Sequence, residues 1–133
     1  MASKEKIIFV IDDNEANLVA CKNILKPYYA VFPVPSAAKM FDLLKHVKPD
    51  LILLDVEMPG MNGYEAAKIL KNDEAYREIP LIFLSGRTEA EFITEGLKLG
   101  ALEFIQKPII SDVLLARIGD FCNQKAVRVE ITR

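Results

Sequence analysis

Five short apolar runs, each followed by a segment of helical periodicity, restrict the folds open to this chain more than any other feature. Residues 7–11 (Ile7, Ile8, Phe9, Val10, Ile11) form a near-continuous β-branched and aromatic run, as in a strand buried on both faces. Leu18, Cys21 and Leu25 then fall at i, i+3 and i+7 on one helix face, which stops before Pro27. Residues 29–34 read as a second strand. Pro33 and Pro35 weaken that reading, because proline cannot donate to a ladder and so belongs at a sheet edge. Ser36 is a suitable N-cap for a helix with Met40, Leu44 and Val47 on one face. Residues 51–54 are the strongest central-strand signal. A loop at 58–63 precedes a helix through Ala66, Ala67 and Leu70. Residues 81–84 follow Pro80 as a fourth strand. Ala90, Ile93 and Leu97 mark the next helix face, and Gly100 sits where a left-handed C-cap belongs. Residues 102–106 make a fifth strand, and Ser111 starts a last helix with Leu114, Ile118 and Phe121 toward the core.

Strands that alternate with helices build βαβ units, so the expected fold is α/β, a doubly wound five-stranded parallel sheet with helices on both faces. At 133 residues the chain holds about one such domain. Lys plus Arg number 17 against 19 Asp plus Glu, a net charge of −2 without a basic run, which argues against a phosphate-tracking nucleic-acid surface. Cys21 and Cys122 stand alone, with no ligand cluster around either, and read as small buried hydrophobes in a reducing compartment. The longest apolar runs fall far short of the ~20 residues that span a bilayer, and the N-terminus has no signal-peptide core, so a cytoplasmic location without membrane contact is expected.

In an open parallel sheet, ligands bind outside the carboxyl ends of the strands. Here those ends carry Asp12 and Asp13, then Asp55, Ser85 and Lys107. Three carboxylates gathered on one rim cannot all stay ionised without a positive partner. Hard oxygen ligands with an open side suit Mg²⁺, with Mn²⁺ as a substitute. The plainer alternative is that each Asp merely caps the following helix, which explains one such residue far better than three.

The chain resembles the receiver domain of two-component response regulators, in its chemotaxis-regulator-like form, over roughly residues 6–122. The resemblance is carried by Phe9-Val10-Ile11-Asp12-Asp13, by residues 53–63 (Leu-Leu-Asp-Val-Glu-Met-Pro-Gly-Met-Asn-Gly), by Phe83-Leu84-Ser85-Gly86, by Gly100-Ala101-Leu102-Glu103-Phe104-Ile105, and by Lys107-Pro108. It implies the flavodoxin-like strand order 2-1-3-4-5. It also implies that Asp55 accepts a phosphoryl group from a phosphohistidine on a sensor histidine kinase or a histidine phosphotransfer protein. Asp12, Asp13, Asp55 and the backbone carbonyl of Glu57 would hold the metal. Ser85 would donate to a phosphoryl oxygen, and Lys107 would pair with the phosphoryl group or with Asp55. Pro108 would follow a cis peptide that aims Lys107 into the site. Phe104 would turn inward when Ser85 moves, changing the surface of the fourth helix, fifth strand and fifth helix. Ser85 and Phe104 depart mildly from Thr and Tyr, the other common choices in the family.

Two rim positions invite a further expectation: Glu57 and Arg87 pair across the mouth and tune the dephosphorylation rate. By this reading the chain is a signalling phosphoacceptor rather than an enzyme, promoting only its own phosphorylation and slow dephosphorylation. The alternatives weighed against it are a phosphorylation-independent receiver-like module, a small aspartyl-phosphate phosphatase, and a flavodoxin-like nucleotide or flavin binder. Against the last, no Gly-rich phosphate loop follows any strand of this chain. His46 reads as a solvated side chain near a helix C-terminus. Residues 1–124 are expected to form the receiver. Residues 125–133, with alternating Val127, Val129 and Ile131, would be a tail or the start of a linker. A downstream effector protein or domain is implied, with homodimerisation through the fourth helix, fifth strand and fifth helix as a further option.

Overall fold

A computed structural model describes residues 5–122. Its elements are β1 (Ile7–Ile11), α1 (Glu15–Leu25), β2 (Ala30–Val34), α2 (Ala37–Leu44), β3 (Leu51–Asp55), α3 (Gly63–Lys71), β4 (Leu81–Ser85), α4 (Ala90–Lys98), β5 (Glu103–Gln106) and α5 (Ser111–Cys122). The strands pair in parallel in the order β2-β1-β3-β4-β5. The expected fold is thus the observed one, and the proline-bearing β2 lies at an edge.

Alternate residues of the central strands feed two cores. Phe9, Ile11, Ile52, Leu54, Leu81 and Phe83 pack with α2 and α3 on one face. Ile8, Val10, Leu51, Leu53, Ile82 and Leu84 pack with α1 and α5 on the other. Every residue of β3 and β4 is buried, which explains why these strands read as unbroken apolar runs. Each fully buried Leu, Ile or Phe contributes roughly 1.5–3 kcal/mol.

Local signals set several boundaries. Ser36 caps α2 by accepting from the Lys39 amide. Asn62 and Glu65 form a reciprocal capping box that starts α3. Gly63 stands where a Cβ would meet the Asp55 carbonyl oxygen at 2.3 Å, so glycine lets α3 begin directly against the end of β3. Gly100 has φ +99°, the expected left-handed stop after α4.

The structure corrects one helix face. Ala90 and Leu97 of α4 are exposed rather than inward. The inward positions are Phe92, Gly96 and Leu99, a stripe shifted around the helix. The large side chain of Phe92 and the space left by Gly96 decide the orientation, outweighing the aliphatic spacing of Ile93 and Leu97. Smaller shifts occur at strand ends: β2 starts at Ala30 rather than Tyr29, and β5 at Glu103, leaving Leu102 exposed. Val47 packs against the core beyond the end of α2. The expected tail at 125–133 lies outside the described residues.

Candidate functional site

β1, β3 and β5 deliver the charged side chains to one rim. Asp12 and Asp13 follow the last residue of β1, Asp55 ends β3, and Lys107 follows β5. Register does the placing: Ile11 lies opposite Leu54, and the Lys107 amide bonds the Ser85 carbonyl at 2.9 Å. One carboxylate oxygen from each of Asp12, Asp13 and Asp55 lies within 4.8 Å of the other two. Asp12 and Asp55 are buried, while Asp13 is exposed on the open side.

Lys107 faces this cluster. Its Nζ is 3.0 Å from Asp55 Oδ1, with hydrogen-bond geometry, and 3.0 Å from Asp12 Oδ2. The second contact is a charge pairing without hydrogen-bond alignment, so Asp12 Oδ2 is a buried carboxylate oxygen with no hydrogen bond. Burial pushes the Asp55 carboxyl up to about 7; the Lys107 hydrogen bond opposes this and the Asp12 charge adds to it. Burial pulls the Lys107 ammonium down, but the two carboxylates outweigh it and the net direction is up. The Lys107–Pro108 peptide is cis, as expected.

This donor set fits a hard divalent cation. It is all oxygen, it is more acidic than one ammonium can neutralise, and it includes a buried carboxylate oxygen lacking a hydrogen bond.

The chain belongs to the response-regulator receiver family. The receiver-domain family model matches residues 8–119, nearly the whole described chain. The polar-differentiation response regulator DivK of Brucella ovis is 32% identical over 108 residues, covering 78% of this chain and 85% of that protein. The response regulator PleD of Caulobacter vibrioides is 34% identical over 125 residues. This chain spans only about a quarter of the first curated relatives it matches, 28% of PleD and 27% of a probable cyclic di-GMP phosphodiesterase of Vibrio cholerae. Among solved structures, the chemotaxis protein CheY4 of Vibrio cholerae shares the fold at TM-score 0.84 and 24% identity, over 89% of this chain and 99% of that one. The receiver domain of a signal transduction histidine kinase from Syntrophus aciditrophicus matches at TM-score 0.81 and 29% identity, over 90% and 92% of the two chains. The chain is therefore a receiver of two-component signalling.

Ser85 ends β4 beside the receiver's acidic cluster, buried, with its Oγ accepting the Arg87 backbone N–H at 3.0 Å. Glu57 and Arg87 do meet, at 3.7 Å and both well exposed, where such a pair is worth ~0–1 kcal/mol. Arg87 is held by more than Glu57: its Nε donates to Glu89 at 3.1 Å, and its guanidinium lies 4.0 Å over the Phe92 ring. His46 is exposed and away from the rim.

Phe104 lies against Gly96 in a box with Tyr64, Phe83 and Phe92, its ring centroid 5.4 Å from that of Phe83. Sequence reasoning missed Tyr64, Phe92 and Gly96. The available signal was the i, i+4, i+7 spacing of Phe92, Gly96 and Leu99, which competes with that of Ile93 and Leu97.

Proposed function

We propose that Asp55 is the phosphoacceptor of this receiver and that its phosphorylation, dependent on Mg²⁺, switches a protein-interaction surface on α4, β5 and α5. The observation that carries the reading is the meeting of three carboxylates with the Lys107 ammonium at the strand ends. An Asp55 oxygen attacks phosphorus, a new P–O bond forms, and the P–N bond of a phosphohistidine breaks, its electron pair leaving with the imidazole. Asp12, Asp13, Asp55 and the Glu57 carbonyl would hold the cation, which would neutralise charge on the phosphoryl oxygens. Lys107 supplies a second positive charge to those oxygens, and Ser85 a hydroxyl donor. The exposed side, by Asp13, leaves room for the donor's imidazole.

The added charge of about −1.5 to −2 draws Ser85 toward Asp55, and Phe104 responds to the space this changes. Residues 1–124 act as the receiver and 125–133 as a tail or linker start. The partners are a histidine kinase or histidine phosphotransfer protein and a downstream effector, all in the cytoplasm. Among the described residues no helix is long and apolar enough to cross a membrane.

Incubation with a small phosphodonor and Mg²⁺, followed by intact-mass measurement, tests the reading. The expected result is a gain of one hydroxylamine-labile phosphoryl group in the wild type and none in Asp55→Asn. Wild type that gains nothing under these conditions would leave the phosphorylation-independent module as the better description.

A further inference from the structure

Tyr64 belongs to neither the acidic rim nor the motif residues, yet it is tied into the switch region from several sides. It sits in the first turn of α3 and is 7% exposed. Its Oη donates to the Phe92 carbonyl in α4 at 2.5 Å, and its ring stacks on that of Phe92 with centroids 5.0 Å apart. A Cβ at Gly96 would lie 2.7 Å from the same hydroxyl and 2.6 Å from the Phe104 ring, so glycine is what admits both groups to the flank of α4. Burial, with the charge of Glu95 adding to it, pushes the phenol up to about 12.

Phe92 also carries the contact that leads to the rim. Arg87 lies over its ring, and the Arg87 amide donates to Ser85 Oγ. The path from Ser85 to α3 is therefore continuous: hydroxyl to amide, guanidinium to ring, carbonyl to phenol. Movement of Ser85 toward Asp55 strains its bond to Arg87, and Arg87 cannot follow freely while Phe92 holds it and Tyr64 holds Phe92.

We propose that Tyr64 is a positioning residue of the phosphoryl switch, its hydroxyl latching the first turn of α4 in the arrangement where Ser85 is engaged by Arg87. The latch opposes phosphorylation, since its bonds favour one of two arrangements and the phosphoryl group favours the other. Phe104 lacks a hydroxyl of its own, so the polar anchor of the box resides on α3 instead. This inference rests on Asp55 being the phosphoryl site.

Calorimetric titration with beryllofluoride at saturating Mg²⁺ tests the latch, with thermal unfolding measured alongside. Tyr64→Phe, which keeps the ring and removes one hydrogen bond, is expected to bind the mimic roughly 3- to 10-fold more tightly than wild type. Its melting temperature should fall by a few degrees. Unchanged or weaker binding in Tyr64→Phe, whatever happens to its melting temperature, would overturn the latch by reducing the hydroxyl to a structural bond. If Tyr64→Phe does not fold, amide exchange of the wild type decides instead: faster exchange in the first turn of α4 when beryllofluoride binds supports the latch, and unchanged exchange there overturns it. Wild type that fails to bind beryllofluoride would count against the phosphoacceptor reading itself, which separates the two failures.

Discussion

The acidic rim lies at the carboxyl ends of the strands and the aromatic box under α3 and α4 on one face of the sheet, and opposite physics holds them. The box is satisfied: Phe83 is fully buried, Tyr64 and Phe104 pack against its ring, and the Tyr64 hydroxyl has its acceptor. The rim is not. Asp55 is held against a burial penalty, and Asp12 keeps a buried oxygen without a hydrogen bond. A region that lowers the folded state's energy can serve as a frame, whereas one that raises it is relieved by whatever binds there. Arg87 joins the two, paired with Glu57 on one side and stacked on Phe92 on the other.

Opposite substitutions should therefore move stability in opposite directions. Phe83→Ala removes the fully buried ring of the box and should cost about 3–5 kcal/mol in chemical denaturation, the largest effect expected. A loss below about 1 kcal/mol would mean that the box does not act as a frame.

Asp55→Asn should do the reverse when divalent cations are chelated. In the folded state Asp55 keeps its proton up to about 7, against 3.8 for the ordinary group, so the native state holds more protons over that interval. Wild-type stability should then decline as pH rises from about 4 to about 7 and level off above. Asp55→Asn removes this contribution, melts several degrees higher than wild type at pH 8, and shows a shallower decline. Adding Mg²⁺ should restore much of the wild-type loss. Equal melting temperatures of the two proteins at pH 8 without cation would contradict the idea of a strained rim.

Arg87→Ala is the smallest expected change in stability, within about 0.5 kcal/mol, because its ion pairs are exposed. Its signature is kinetic: release of phosphate from phosphorylated Asp55 should speed up several-fold as the mouth opens. An unchanged release rate would reduce the Glu57–Arg87 pair to a solvated surface contact.

The two regions also differed in how far the sequence revealed them. Asp12, Asp13, Asp55, Ser85 and Lys107 were legible because strand ends in a parallel sheet share one rim, and five apolar runs located those ends. Nothing comparable located the box. Its members come from α3, β4, α4 and β5, and their meeting depends on the rotation of α4 about its axis. Ile93 and Leu97 offered a stripe as good as that of Phe92, Gly96 and Leu99. The choice was made by tertiary contacts: a glycine flank against which the Phe104 ring and the Tyr64 hydroxyl pack. Hydrogen bonds such as Tyr64 Oη to the Phe92 carbonyl have no sequence signature, since the donor and acceptor are 28 positions apart and the acceptor is backbone.

The central claim is that rim and box are two parts of one switch, joined through Ser85, Arg87 and Phe92. Amide hydrogen exchange with and without beryllofluoride and Mg²⁺ tests it most directly. The account predicts altered protection at the rim, at residues 85–99 and around 104–107, with α2 unchanged. Protection that changes only at residues 12–13 and 55–59, leaving α4 as it was, would contradict it.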